Sequence, residues 1–288
     1  VRIDGDDGAT IGTIVGYTMH PTFMGPPNRL ISPDWPGHMR HTVEQVTGAP
    51  CLFAQGATGD VGPGPRGFRD DLRALRALGG QVGCEAARVA LSLDIPAVRY
   101  EHERVQESGA PLSLWKAIPV EEEPPVVRAR DVSLELPVAE QPSPEAARND
   151  VDAARRRLDE LRSSGAPAGE VEAATFVVKR ATMALNRVEM YHGRETADVT
   201  MHLLRIGPVV FAGVEGEPFC GTGRRVKAAS PFPATWFGGY TGGWAGYIPT
   251  PEAFPQGGYE VETSPFAAEA ADELEAQVIA ALRAFADA

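Results

Sequence analysis

The chain has 288 residues, of which 43% are hydrophobic, 23% are charged and 7% are aromatic, and its formal net charge is −12 at pH 7. This composition is that of a globular protein, and the negative charge excludes a protein that wraps nucleic acid, because phosphate binding needs a basic surface. No apolar run reaches the ~18 residues that cross a bilayer, so the sequence predicts no transmembrane segment.

The beginning of the chain has the pattern of a β-hairpin. The first residue is Val1, and a turn-like Gly-Asp-Asp-Gly at 5–8 precedes the next apolar run. Because the first residue is not Met, either the start codon is unusual or the true N-terminus lies upstream; we favour the second, which leaves export open. The three cysteines have no Cys-x-x-Cys spacing, which argues against a disulfide framework or a thiolate zinc site and slightly favours a cytoplasmic location.

The first half of the chain alternates between strand and helix patterns. Apolar and β-branched runs predict strands, and apolar spacings of three and four predict helices. In chain order, these patterns predict a strand at 11–19, a helix at 37–47, a strand at 50–54 and a helix at 79–93. The glycine-rich segment at 55–64 predicts a loop that approaches another group closely, and it lacks the Lys-Ser/Thr ending of a phosphate-binding loop.

The second half contains more helix and several further strands. The patterns predict a strand at 128–137, a helical hairpin at about 144–192, strands at 196–204 and 206–213, a loop-rich segment at 233–259 and a helix at 266–288. Because strands and helices alternate irregularly, we predict an α/β fold, a layered sandwich of two mixed β-sheets flanked by α-helices. The helical hairpin is then an insertion in a single domain over 1–288.

Four residues stand where functional sites often form, yet each has an ordinary alternative. His20 and Glu217 follow apolar strands, but a lone histidine is more often a buried packing residue, and a glutamate before proline equally suits a helix N-terminus. Tyr247 and Tyr259 lie in glycine-rich segments, and by composition alone both are packing aromatics. Single residues therefore leave a site and simple packing both open.

Six segments, taken in order, carry a more specific signal. They are His-Pro-Thr at 20–22 with Asn28, Ile-Ser-Pro-Asp-Trp-Pro-Gly at 31–37, Gly-Asp-Val-Gly-Pro at 59–63, Gly-Glu-Pro-Phe at 216–219, Gly-Tyr-Ile-Pro-Thr-Pro-Glu at 246–252 and Gly-Tyr-Glu at 258–260. Each is modest, but the ordered set resembles the neutral, non-lysosomal ceramidase family of zinc amidases. The resemblance extends from about residue 8 to the C-terminal helix.

The resemblance implies a Zn²⁺ site and a set of ligands. In that family two histidines, a glutamate and a tyrosine hold the zinc, and the similar positions here are His20, Glu217 and Tyr247. Tyr259 is then a hydroxyl that stabilises the oxyanion when a zinc hydroxide attacks an amide carbonyl. Asp60 is expected to order the site from outside the ligand set, with turn capping as the alternative. The same two alternatives apply to Asp34.

The sequence also departs from the family pattern. The family's first zinc histidine lies upstream of the region where this chain begins, and the chain ends before the family's immunoglobulin-like domain, so we expect a short bacterial relative. Gly62 stands where ceramidases carry a serine associated with activity on ceramide, so ceramide is a doubtful substrate. We predict a zinc-dependent hydrolase that cleaves an amide bond of a small N-acyl substrate. The sequence leaves open whether this substrate resembles a lipid and whether the enzyme also cleaves esters. The alternative is a noncatalytic binding or scaffold protein of the same fold that has lost the first histidine.

Overall fold

The computed structural model describes residues 1–93, 98–120 and 125–287. The chain forms two compact units. The first comprises Val1–Gln55 and Val61–Val127, and the second comprises Gly56–Asp60 and Arg128–Ala288. The predicted α/β class, with mixed sheets and several helices, is confirmed. The expectation of one domain over 1–288 stays a prediction.

The first unit contains a three-stranded mixed sheet, two long helices and a separate two-stranded sheet. Its elements are β1 (Arg2–Asp4), β2 (Thr10–Tyr17), α1 (Asp34–Thr47), β3 (Cys51–Gln55), α2 (Leu72–Leu91), β4 (Val98–Glu107) and β5 (Pro111–Pro119). β1 and β2 form an antiparallel hairpin, and β3 pairs with β2 in parallel. The predicted hairpin, the first two strands and the first helix are therefore confirmed.

The core of the first unit lies between its helices and the three-stranded sheet. Trp35, Met39 and Val43 follow one another at a spacing of four along α1, and all three are fully buried. The two helices pack closely because small residues of α2 face α1. A Cβ atom on Gly79 would lie only 2.6 Å from the Trp35 carbonyl oxygen.

Two features of the first unit differ from the prediction. α2 begins at Leu72 and not at residue 79, because the Asp71 side chain caps it by accepting a hydrogen bond from the Ala74 amide. The β4–β5 hairpin was not predicted at all. Almost every residue in these two strands is exposed, so they lack the apolar alternation that marks a half-buried strand.

The second unit contains a four-stranded sheet, a two-stranded sheet and several helices. Its elements are β6 (Val127–Pro137), α3 (Pro144–Ser163), α4 (Ala168–Tyr191), β7 (Thr196–Ile206), β8 (Val209–Val214), β9 (Glu217–Pro218), α5 (Cys220–Ala229), β10 (Ala234–Gly238), β11 (Tyr247–Ile248), α6 (Tyr259–Thr263) and α7 (Ala270–Ala286). The larger sheet has the order β10-β8-β7-β6, with β8 and β10 parallel and β7 and β8 antiparallel. The predicted strands, helical hairpin and C-terminal helix of this half are confirmed.

The core of the second unit is formed by residues of this sheet and of α7. Val199 and Met201 alternate inward along β7 and belong to the same buried cluster as Leu274 and Val278 of α7. The hairpin of α3 and α4 has a small cluster of its own, and the end of α4 adds Tyr191 to the main core. No helix in the described part of the chain has both the length and the apolar character needed to span a membrane.

Candidate functional site

Two short paired strands bring Glu217 and Tyr247 together in the second unit. β9 and β11 run parallel, with Glu217 opposite Tyr247 in the register, so both side chains project from the same face of the pair. The Glu217 amide donates to the Gly246 carbonyl oxygen at 2.9 Å. The apolar strand β8 ends at Val214, and a tight turn at Gly216 then directs Glu217 to this position.

Glu217 carries a buried carboxylate, with only 4% of the residue exposed. One carboxylate oxygen accepts a hydrogen bond from the Trp244 indole nitrogen at 2.6 Å, and the other accepts one from the Tyr240 hydroxyl. A buried carboxylate is tolerated only when it is hydrogen-bonded or paired. The aromatic donors therefore stabilise and orient an anionic group in the interior of the second unit.

The backbone conformation around Tyr240 places its hydroxyl beside the Glu217 carboxylate. Tyr240 has a φ of 60°, which is rare for a bulky residue and marks local strain. At the preceding position, a Cβ atom on Gly239 would lie 2.3 Å from the Gly216 carbonyl oxygen, so only glycine allows this approach. Our sequence reasoning missed Tyr240 as a site residue. Its only signal is a tyrosine between two pairs of glycines, at 238–239 and 242–243.

Burial and the neighbouring carboxylate alter two tyrosine hydroxyls. Desolvation raises the pKa of Tyr240 and the pKa of Tyr247 well above their ordinary value near 10, and Glu217 adds to this, first through its hydrogen bond at Tyr240 and through its charge at Tyr247. Both hydroxyls are therefore protonated at neutral pH. The Tyr259 ring lies edge-on to the Tyr247 ring, with 6.0 Å between the centroids. Tyr247, Tyr259 and Glu217 thus form one contiguous group, which contains three of the predicted site residues.

Asp60 caps the start of α5. Its carboxylate accepts a hydrogen bond from the Cys220 amide at 2.6 Å, and the Cys220 thiol donates to the other oxygen at 3.3 Å. An acidic side chain at this position satisfies an unpaired helix amide and interacts favourably with the helix dipole. Asp60 therefore caps α5, and its role in ordering the site stays a prediction. Its contacts also hold the segment that follows Glu217 in the chain.

His20 and Asp34 lie in the first unit. The His20 amide donates to the Val61 carbonyl oxygen at 2.8 Å, and its own carbonyl accepts from the Trp35 indole at 3.3 Å. Asp34 is buried, and its carboxylate accepts hydrogen bonds from the amides of Met24 and Trp35. Asp34 therefore ties the loop that follows His20 to the start of α1.

Part of the predicted ligand set has the chemistry that a zinc ion needs. Among residues 1–93, 98–120 and 125–287, no group of three or more His, Cys, Asp or Glu side chains is gathered as a metal site. The Glu217 and Tyr247 pair nevertheless fits a divalent cation, because zinc accepts carboxylate and other oxygen donors. A cation beside Tyr247 would also favour the phenolate that Glu217 disfavours.

Comparison with solved structures identifies the fold. A ceramidase complexed with C2 superposes with a TM-score of 0.60 and 16% identity, over 99% of this chain and 47% of that chain. The neutral ceramidase from Pseudomonas aeruginosa gives a TM-score of 0.59 and 18% identity, over 96% of this chain and 44% of that chain. The chain therefore has a ceramidase-related fold and spans less than half the length of either protein. No protein family description matches the sequence, and no curated protein matches it by sequence.

Proposed function

We propose that this chain belongs to a zinc-dependent hydrolase that cleaves the amide bond of an N-acyl substrate. The observation that carries the proposal is the buried Glu217 carboxylate opposite Tyr247 on paired strands, in a ceramidase-related fold. A buried charge costs free energy, and a protein retains one most readily where it holds a cation or performs chemistry. The hydrogen bonds from Tyr240 and Trp244 hold this carboxylate in place, which supports the proposal.

In this proposal Glu217 and Tyr247 are oxygen ligands of the metal. The assignment of His20 as a nitrogen ligand rests on the sequence resemblance. When bound, zinc supplies an activated water and polarises the scissile carbonyl. Tyr240 and Trp244 donate to Glu217 and so fix the direction of its carboxylate oxygens, as partners of metal ligands generally do.

The remaining residues bind the reacting group or position the ligands. We assign the partly exposed Tyr259 hydroxyl as the donor to the carbonyl oxygen, which gains negative charge as the carbon becomes tetrahedral. Asp60 is a positioning residue, because it holds the start of α5 three residues after Glu217 in the chain. Asp34 positions the loop after His20 in the same indirect way.

The proposal is tested by metal-dependent hydrolysis with matched variants. Purified protein, treated with chelator and then with zinc, is assayed on N-acyl amides of increasing chain length. We expect Glu217→Gln and Tyr247→Phe to lower kcat/KM by more than the roughly 10- to 100-fold that loss of a ligand's hydrogen-bond partner costs. Glu172→Gln, at an exposed position on α4, is the matched control and should leave the rate unchanged. Full zinc-dependent activity in Glu217→Gln would contradict the proposal.

The alternative is a noncatalytic binding or scaffold protein of the same fold. It predicts that the protein made from the complete reading frame neither retains zinc nor hydrolyses any of these amides or the corresponding esters. The two functions therefore differ in zinc retention as well as in activity.

A further inference from the structure

A small cavity lies in the second unit beside the proposed site. Its volume is about 180 Å³, and Tyr247 and Tyr259 form part of its wall. The end of α4 forms another part, through Met183, Arg187 and Met190. The helical hairpin thus contributes directly to the surroundings of Tyr247. The sequence pattern of this hairpin leaves a packing layer, a lid over the site and an interface open, and it favours packing.

The size of the cavity limits what it accepts. Pockets that enclose drug-sized ligands measure roughly 300–1,000 Å³, and this one is clearly smaller. It can hold a group of a few heavy atoms, and a long acyl chain would extend beyond it. Thioether and aromatic walls suit a short apolar linker. The one cationic side chain in the wall is Arg187.

Arg187 is half-buried and has only neutral partners among its described contacts. Its Nε donates to the Gln141 side-chain oxygen at 3.2 Å, and one terminal nitrogen donates to the Glu262 main-chain oxygen at 2.7 Å. In the part of the chain that the structure describes, no carboxylate forms an ion pair with it. Burial lowers the pKa of its guanidinium.

Some other arginines of the described chain form ion pairs with carboxylates. Arg148 pairs with Glu189 and Arg225 pairs with Glu275. A partly desolvated guanidinium without a counter-ion is unfavourable, and it gains most from an anion that forms two parallel hydrogen bonds. Arg187 lines the cavity beside Tyr247 and Tyr259, and no ion pair within the described residues satisfies its charge, so an anion carried by a bound ligand would complete its interactions.

We propose that this cavity binds a carboxylate carried by the substrate and that Arg187 is the residue that recognises it. The inference rests on the proposed function and narrows it. The substrate class becomes an N-acyl amide whose acyl or amine part bears a carboxylate a few bonds from the scissile carbonyl. Met183 and Met190 contact the short linker between the two groups.

Two matched substrate pairs test this specificity. The first pair carries the charge on the acyl side, namely succinyl p-nitroanilide and its neutral succinamoyl isostere. The second pair carries it on the amine side, namely N-butanoylglycine and N-butanoylglycinamide. Because a hydrogen bond to a charged group contributes substantially to recognition, we expect the charged member of one pair to have a kcat/KM roughly 10- to 100-fold higher. Equal or inverted preference in both pairs would overturn the inference.

Variants separate the role of Arg187 from that of charge in general. Arg187→Met should remove the preference and leave the neutral isostere within about threefold of wild type, and Arg187→Lys should restore part of it. Arg180→Met is the matched control, since Arg180 is exposed two turns earlier on α4 and does not line this cavity. Thermal melting checks that each variant is folded. A preference that survives in Arg187→Met would also overturn the inference.

A binding measurement distinguishes failure of the inference from failure of the proposed function. If zinc-loaded protein hydrolyses none of the four compounds, the amide-hydrolase proposal fails for this class, and calorimetric titration with N-butanoylglycine then tests the cavity. Binding that weakens at least about tenfold in Arg187→Met, with N-butanoylglycinamide as the neutral control, supports the carboxylate site. Binding that is absent, or equal for both compounds, contradicts it.

Discussion

Replacement of Tyr240 by phenylalanine tests whether the site is built around a buried anion. The change removes one hydroxyl donor from a carboxylate that is only 4% exposed, and a hydrogen bond to a charged group contributes about 1.5–3 kcal/mol. We therefore expect Tyr240→Phe to lower the free energy of unfolding by about 2 kcal/mol in chelator-treated protein. In a Glu217→Gln background the acceptor is neutral, and the same change should cost only about 0.5–1.5 kcal/mol.

The measurement is a double-mutant cycle by urea unfolding at pH 7, with free energies from linear extrapolation. The coupling energy between the two positions should be about 1 kcal/mol. Tyr100→Phe, at an exposed position on β4, is the control and should change stability by less than about 0.5 kcal/mol. An equal cost of Tyr240→Phe in both backgrounds would refute the reasoning, because Glu217 would then not act as a buried charge.

Two further predictions concern the elements that flank Glu217. Burial and the hydrogen bond to Asp60 raise the pKa of the Cys220 thiol, so the thiolate forms only at higher pH. The protonated thiol therefore contributes to stability below about pH 9, and this contribution is lost as the pH rises further. Mass mapping should show slower alkylation by iodoacetamide at pH 8 for Cys220 than for exposed Cys84. Asp60→Asn should speed the Cys220 reaction and cost about 1 kcal/mol of stability. Gly59→Ala should destabilise the protein by about 1–3 kcal/mol, because its Cβ would lie 2.5 Å from the Glu217 carbonyl oxygen. Gly62→Ala, which meets no atom within 4 Å, should change thermal stability little; similar melting temperatures for both variants would argue against this packing.

Apolar periodicity predicted the elements that bury one face and missed those that do not. Helix α7 and the hairpin of α3 and α4 carry long stripes of buried residues, so their pattern is visible without the structure. The β4–β5 hairpin buries almost nothing, and α5 is short and glycine-containing. Their stability depends on backbone pairing and on a cap at Asp60, which leave little trace in apolar spacing.

The site was accessible to sequence reasoning only where motifs marked it. Glu217 and Tyr247 were singled out by the ordered segments, and strand pairing brings them together. Tyr240 and Trp244 contact the carboxylate from a loop whose course depends on positive φ angles and close backbone approach. Arg187 comes from the inserted hairpin, and its partners, the Gln141 side chain and the Glu262 main-chain oxygen, lie far from it along the chain. Such contacts have no fixed spacing along the chain.

The most direct test of the central claim is the zinc content of the protein made from its complete reading frame. Metal analysis after dialysis should give about one zinc per chain, as expected for a site with protein oxygen and nitrogen ligands. The zinc should be lost in Glu217→Gln, in Tyr247→Phe and in His20→Ala, and it should persist in His41→Ala, whose histidine is exposed on α1. Wild-type protein without zinc, or a Glu217→Gln variant that retains it, would contradict the account.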